Sequence, residues 1–311
     1  MSRIHEALKK AEQERALQQP GETVHPATVR ASLSASALAA VDVLADTGVP
    51  QPAAPHASQF LRFDDLVGHC NKAQWQLDPN QNVFLDSAPA SLGAEQFRTL
   101  RSRLYQLRAS QTLRTVLVTS SISGEGKSFV ANNLAHAIVR QPDRRALLID
   151  ADLRRPRLHF IFGASSAPGL TEYLREEADE YSIIQSGQQA NLCFIPGGNE
   201  VTNPSELLSN NRLKALLDRV SPMFDWVILD SPPCVPVADA SVLADICDGV
   251  LLVVRSGATP AQLAQKGVQQ LRGKNILGVV LNAIDKVHMY DSYYYYEPYI
   301  YSGDVDGSKR A

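Results

Sequence analysis

The chain has 311 residues, 44% of them hydrophobic and 20% charged, with a formal net charge of −3. That is enough chain to bury a substantial core, the mix suits a soluble globular protein, and the charge argues against a polyanionic partner such as nucleic acid. The four cysteines (Cys70, Cys193, Cys234, Cys247) show no C-x-x-C spacing and no paired histidines, which argues against a disulfide framework or a zinc site.

Residues 1–17 predict a short helix, because Ile4, Ala7, Leu8 and Ala11 fall at helical spacing among charged neighbours. Residues 18–59 are rich in Ala, Pro, Ser and Thr without periodicity, which reads as a disordered linker. Residues 60–90 carry scattered aromatics (Phe60, Phe63, Trp75, Phe84) suited to packing on a neighbouring domain. No apolar run approaches the ~20 residues a bilayer span needs, and the opening Met1-Ser2-Arg3-Ile4-His5-Glu6 lacks the apolar core of a secretory signal. A cytoplasmic protein is expected, linked to a membrane only through a partner.

From Ser91 the texture changes. Phe97, Leu100, Leu104 and Leu107 form a helical stripe. Short aliphatic runs then alternate with helical patterns. Thr115–Thr119, Ala146–Asp150, Leu192–Ile195, Trp226–Asp230, Gly249–Val254 and Ile276–Leu281 are predicted strands, apolar enough to be covered on both faces. The alternation predicts an α/β domain over residues 91–283, a mostly parallel sheet with helices on both sides. Within it Asn203 is expected to cap a helix, with Pro204 at the first helical position and Glu206 three residues past the cap.

The sharpest signal is Ser121-Ile122-Ser123-Gly124-Glu125-Gly126-Lys127-Ser128, between a strand and a helical pattern beginning at Phe129. This is the setting of a P-loop, although Ser121 replaces the usual first glycine. Gly124 and Gly126 permit the tight turn that directs backbone N–H groups at phosphate oxygens. The residues from Ser123 to Phe129 are therefore candidate nucleotide contacts, with Lys127 on the phosphates and Ser128 on Mg²⁺. Asp150 and Asp152 end one predicted strand and Asp230 ends another. Ligand crevices of open α/β sheets lie at these carboxyl ends, so the three acids should meet the metal held by Ser128. Mg²⁺ takes only one or two carboxylates, which leaves one acid for another task.

Residues 284–311 form a tail with seven of the ten tyrosines: Tyr290, Tyr293, Tyr294, Tyr295, Tyr296, Tyr299 and Tyr301. Four in succession make a poor buried strand, since alternation would send half to each face. An aromatic interaction surface would use Phe or Trp as readily, and the stretch has neither. Tyrosine alone offers a phosphorylatable phenol, each phosphate adding about −1.5 to −2 charges.

Together the P-loop, the Asp150-Ala151-Asp152-Leu153-Arg154 element, the Asp230-Ser231-Pro232-Pro233 element and the tyrosine cluster resemble the bacterial tyrosine kinases that accompany capsule and exopolysaccharide synthesis. The Arg3-to-Ala16 opening is similar, more weakly, to the soluble autokinases of exopolysaccharide loci. The resemblance implies an ATP- and Mg²⁺-dependent protein-tyrosine autokinase, with Asp152 and Asp230 on the metal and Asp150 as the base for the phenol. It also implies a transmembrane co-polymerase or adaptor as activator, a cognate tyrosine phosphatase, recruitment to the inner face of the membrane, and a homo-oligomeric ring. Its ring-building E-x-x-R-x-x-R helix reads here Glu95, Arg98, Arg101, charges expected to lie off the apolar stripe and to be free for another subunit; internal Glu95–Arg98 pairing is the plainer alternative. Tails phosphorylated in trans would drive such a ring apart by charge. Asn282 is a possible purine contact by the same analogy. Arg154 and Arg155 suit a phosphate or a partner carboxylate, and the sequence does not choose. Two other readings stay open: a ParA/MinD-type switch ATPase, although Ser121-Ile122-Ser123 lacks the early lysine of those loops, and an ATP-binding scaffold without turnover.

Overall fold

A computed structural model of the chain describes residues 62–85 and 91–284. The N-terminal helix, the linker and the tyrosine tail lie outside the described residues.

Among the described residues eight strands form one sheet. They are β1 (Asn71–Lys72), β2 (Thr115–Ser120), β3 (Ala146–Asp150), β4 (Gln185–Ser186), β5 (Leu192–Ile195), β6 (Trp226–Asp230), β7 (Gly249–Arg255) and β8 (Ile276–Asn282), in spatial order β1-β4-β5-β3-β6-β2-β7-β8. Every pairing is parallel except β4 with β5. Alternate residues feed two cores. Leu117, Leu147, Ile149, Val227 and Leu229 face one; Val116, Val118, Leu148, Ile228 and Val253 face the other. Successive strand side chains point to opposite faces, so helices on both sides are the packing solution, and the α/β expectation holds.

One core is closed by α1 (Leu92–Ser110) and α2 (Lys127–Val139). The Ser91 hydroxyl caps α1, accepting from the Ala94 N–H at 3.2 Å, and Phe97 and Leu104 of the expected stripe are buried. The other face is covered by short helices, among them α3 (Leu170–Leu174), α4 (Asn211–Val220) and α5 (Asp239–Ile246). The described part of residues 60–90 packs on this body. Trp75 is buried edge-on against Phe162 (centroids 4.8 Å apart), and β1 adds to the edge of the sheet beside β4. Asn132 and Asn133 both donate to the Gln81 carbonyl.

Two expectations are corrected. β8 is not covered on both faces: Val279 and Leu281 are more than half exposed. It is an edge strand, and the flanking helix α6 (Ala261–Gln270) buries only Gly267, leaving an apolar hollow lined by Leu252, Val254, Ala264, Val268, Val279 and Leu281. The short helix Pro204–Leu208 starts where Asn203 and Pro204 place it, but the Asn203 side chain caps no backbone N–H. Its amide donates to the Glu206 carboxylate instead, at 3.0 Å.

His136 on α2 is buried and stacked on Phe162, and among the described residues its Nε2 has no hydrogen-bond partner. Burial pushes its pKa down to about 4 from the usual 6.5. The unfolded chain therefore takes up this proton first as pH falls, so stability is full above pH 6.5 and is lost towards pH 4. Urea unfolding should show His136→Leu gaining on the wild type by about 1 kcal/mol per pH unit across that window. Parallel pH profiles would refute the assignment.

Candidate active site

The sheet order does what spacing in the sequence does not: β3, β6 and β2 are consecutive neighbours, so the three motif-bearing strands end side by side. Asp150 and Asp230 are register partners across β3 and β6. The loop leaving β2 closes over them.

That loop needs its glycines. Gly124 has φ +86° and Gly126 φ +93°, left-handed values that cost other L-residues. A side chain at Gly126 would also collide with the Asn282 amide. Ser121, in place of the customary first glycine, fits because Gly267 on α6 leaves room: a methyl group there would strike the Ser121 hydroxyl. Helix α2 begins at Lys127 directly after the turn. Among the described residues, the N–H groups of Gly124 to Ser128 donate to no carbonyl or side chain. A row of unpaired donors at a helix N-terminus is a cradle for phosphate oxygens.

The loop is braced from behind. The buried Glu125 carboxylate accepts from the Ile122 N–H (2.7 Å) and the Thr259 hydroxyl (2.6 Å), so only its backbone can face a phosphate. Arg255 donates to the Gly124 carbonyl at 3.3 Å. Asn282 donates to the Glu125 carbonyl at 2.9 Å; that places it beside the P-loop, with one amide N–H engaged by the loop and its second N–H and carbonyl oxygen left over. Ser123 and Phe129 flank the turn, Phe129 meeting Phe97 edge-on at 5.9 Å.

Lys127 Nζ lies 2.9 Å from Asp152 Oδ2, 4.0 Å from Asp230 Oδ1 and 3.5 Å from the Ser128 hydroxyl. Burial alone would lower the lysine pKa, but Asp230 and Asp152 outweigh it and raise it. Asp230 is fully buried, and neither oxygen accepts a well-formed hydrogen bond among the described residues, although Ser128 lies beside it. Burial pushes its pKa up to about 6 against the pull of Lys127. Buried carboxylates are ordinarily paired or hydrogen-bonded, so these orphaned oxygens fit a cation. Among the described residues no three His, Cys, Asp or Glu side chains make a self-sufficient metal cage. Two carboxylates and a hydroxyl beside a phosphate cradle suit a Mg²⁺ ion that shares its shell with nucleotide and water.

Asp150 is also fully buried, but it is occupied. Its Oδ2 accepts from the Arg157 and Leu158 N–H groups, each at 2.9 Å, and its Oδ1 from the Asp152 N–H at 3.3 Å. Burial, reinforced by Asp230, holds its pKa well above the ordinary carboxylate range. Cys234 is a packing residue: it is buried against Gly267, and burial pushes its thiol up to about 11.

The helix charges are less free than sequence suggested. Arg98 pairs with Glu95 of its own helix at 2.8 Å. Arg101 donates to the Ala137 carbonyl at 2.6 Å, tying α1 to α2, because its long side chain reaches across the helix contact instead of out to solvent. The seven candidate tyrosines lie outside the described residues. Sequence reasoning missed Asp239, Thr259, Arg255 and Gly267, which no local motif marks; each acquires its partner only when elements distant in sequence meet.

Fold and site define a P-loop nucleotide-binding domain, and the family model described as an AAA domain matches residues 113–284. The chain is similar to the tyrosine-protein kinase YwqD of Bacillus subtilis, 35% identical over 218 residues, which are 70% of this chain and 91% of that one. It is 34% identical to the succinoglycan biosynthesis transport protein ExoP of Rhizobium meliloti over 64% of this chain, but spans only 26% of ExoP. Among solved structures, the kinase domain of the Escherichia coli tyrosine kinase ETK matches with a TM-score of 0.61 at 35% identity, covering 64% of this chain and 79% of that one. The chain belongs to the bacterial tyrosine kinase family.

Proposed function

We propose that this protein is an ATP-dependent protein-tyrosine autokinase, transferring the γ-phosphoryl group to the Tyr290–Tyr301 cluster of another copy of itself. The observation that carries the reading is Lys127 held between Asp152 and Asp230 at the mouth of a phosphate cradle. Cradle N–H groups and Lys127 bind the phosphates; Ser128, Asp152 and Asp230 are the residues that would hold Mg²⁺, whose charge would offset that of the phosphates. Lys127 must leave Asp152 for the phosphates when nucleotide enters, which would free the Asp152 carboxylate to serve as a ligand.

The acceptor phenol, with pKa ≈ 10, is a weak nucleophile at neutral pH. Asp150 is the proton acceptor in this reading. Its raised pKa lies in the useful direction, and the long bond from the Asp152 N–H is the one an incoming hydroxyl displaces. The name of ExoP supports a role in polysaccharide synthesis and export. Among the described residues no helix is long and apolar enough to cross a membrane, which accords with a transmembrane adaptor as activator at the inner membrane face. A ring of copies joined through Glu95, Arg98 and Arg101 would require these side chains to exchange their present partners. A cognate phosphatase would reset the tail.

The full chain incubated with Mg-ATP, alone and with the cytoplasmic part of a candidate adaptor, should acquire phosphotyrosine that mass spectrometry maps to residues 290–301. ATP hydrolysis without phosphotyrosine would instead select a switch ATPase, and neither reaction a scaffold.

A further inference from the structure

The three arginines that follow the acidic pair have different fates. Arg154 is committed: its guanidinium makes two bonds to the buried Asp239 carboxylate, at 2.7 and 3.0 Å, and a third to the Ser205 hydroxyl at 2.9 Å. Arg155 and Arg157 are exposed, and among the described residues their guanidinium groups make no ion pair or hydrogen bond. Their backbones are nonetheless fixed to the site. The Arg155 N–H donates to Asp152 at 3.1 Å and the Arg157 N–H to Asp150 at 2.9 Å. The chain thus grips both acids with its amides and leaves two cationic side chains at the rim.

Beside them stands an aromatic with no packing task. Phe160 is 66% exposed, whereas Leu158, Ile161 and Phe162 of the same short helix are buried. The His159 ring lies 3.9 Å from it, centroid to centroid, which steadies its orientation. Two uncommitted arginines and an exposed ring, attached by hydrogen bonds to the acids of the site, form a surface suited to an anionic, aromatic peptide. This chain contains one. Between Tyr290 and Asp306 are seven tyrosines, the four acids Asp291, Glu297, Asp304 and Asp306, and no Lys, Arg or His.

We propose that Arg155, Arg157 and Phe160 form a docking rim that recognises the acidic tyrosine segment of a second copy of the chain, the arginines reading the carboxylates and the ring packing on the phenols. The proposal rests on the autokinase reading for its purpose, and it deepens that reading by naming the substrate class: tyrosines flanked by acids.

A fluorescent peptide of residues 286–306 is titrated with the full chain in the absence of ATP, so that binding is read whether or not the protein turns over. R155E/R157E should weaken the Kd on the order of tenfold, and raised salt should erase most of the difference. A peptide carrying Asp291→Lys and Glu297→Lys should bind the wild type poorly and recover on R155E/R157E; a merely structural role of the arginines would give no such exchange. Unchanged peptide affinity in R155E/R157E, or no recovery on charge exchange, overturns the proposal. So does an equal loss of ATP affinity, which would place these arginines on the nucleotide. Failure of the autokinase reading would show separately, as absent phosphotyrosine in wild-type protein that still binds the peptide.

Discussion

Lys127→Met should abolish tyrosine phosphorylation, lowering the rate by at least about a thousandfold, the scale typical of charge-stabilising groups at phosphoryl-transfer sites. The structure adds a second expectation. Lys127 is the cation that compensates Asp152 and Asp230, and Asp150 lies in the same buried cluster. Removing one partner of a buried ion pair leaves charge uncompensated, at a cost of about 3–5 kcal/mol. The carboxylates can escape that cost only by taking up a proton. Groups whose folded pKa is raised, as Asp150 and Asp230 are already, favour the folded state at low pH and lose that contribution as pH rises through the folded pKa. The variant measured without Mg²⁺ should therefore fall further below the wild type at pH 8 than at pH 5. Loss of phosphotyrosine with equal stability deficits at both pH values would show that the lysine serves nucleotide alone and does not hold the acids in place.

The parts of this fold legible in the sequence are those that burial makes repetitive. β3, β5 and β6 match the aliphatic runs residue for residue, and β2, β7 and β8 run one residue further at their ends, because a strand covered on both faces leaves little choice of residue. β1 and β4 were invisible: two residues each, they exist only because Asn71 and Lys72 pair with Gln185 and Ser186 across more than a hundred positions. Edge position decided the outcome for β8. Its aliphatic run reads like the others, and only strand order shows that among the described residues no further strand protects it. The site divides the same way. The glycine turn, Lys127 and the strand-end acids could be named because their chemistry is local. That the acids converge depends on β3, β6 and β2 being neighbours, which alternation of elements does not specify. The arginines show how fine the division runs. Nothing in the order Arg154-Arg155-Pro156-Arg157 tells that the first is spent on Asp239, since that partner arrives from 85 residues away.

Asp150→Asn should lower kcat by about a hundredfold or more, the usual contribution of a positioned general base, while the KM for ATP stays within a few-fold. Geometry makes this substitution informative. The amide oxygen of asparagine can replace Oδ2 and keep the Arg157 and Leu158 N–H bonds, each 2.9 Å in the native site. Its NH₂ group then meets the Asp152 N–H, donor against donor, so only the longest of the three hydrogen bonds, at 3.3 Å, is broken. The structural penalty is that of one imperfect buried hydrogen bond, about 1 kcal/mol, too little to unfold the loop that carries Asp152. Proton acceptance, by contrast, is removed outright. Base function therefore predicts a fall in kcat, a small fall in melting temperature and an intact nucleotide site. If Asp150 is only a brace for the 152–158 turn, the variant keeps the Arg157 and Leu158 bonds that do the bracing, and both kcat and the KM for ATP should stay near their wild-type values. Aspartate at this position performs both tasks with different lone pairs, so the asparagine variant, which spares the bracing oxygen and takes only the basicity, is the substitution that separates them.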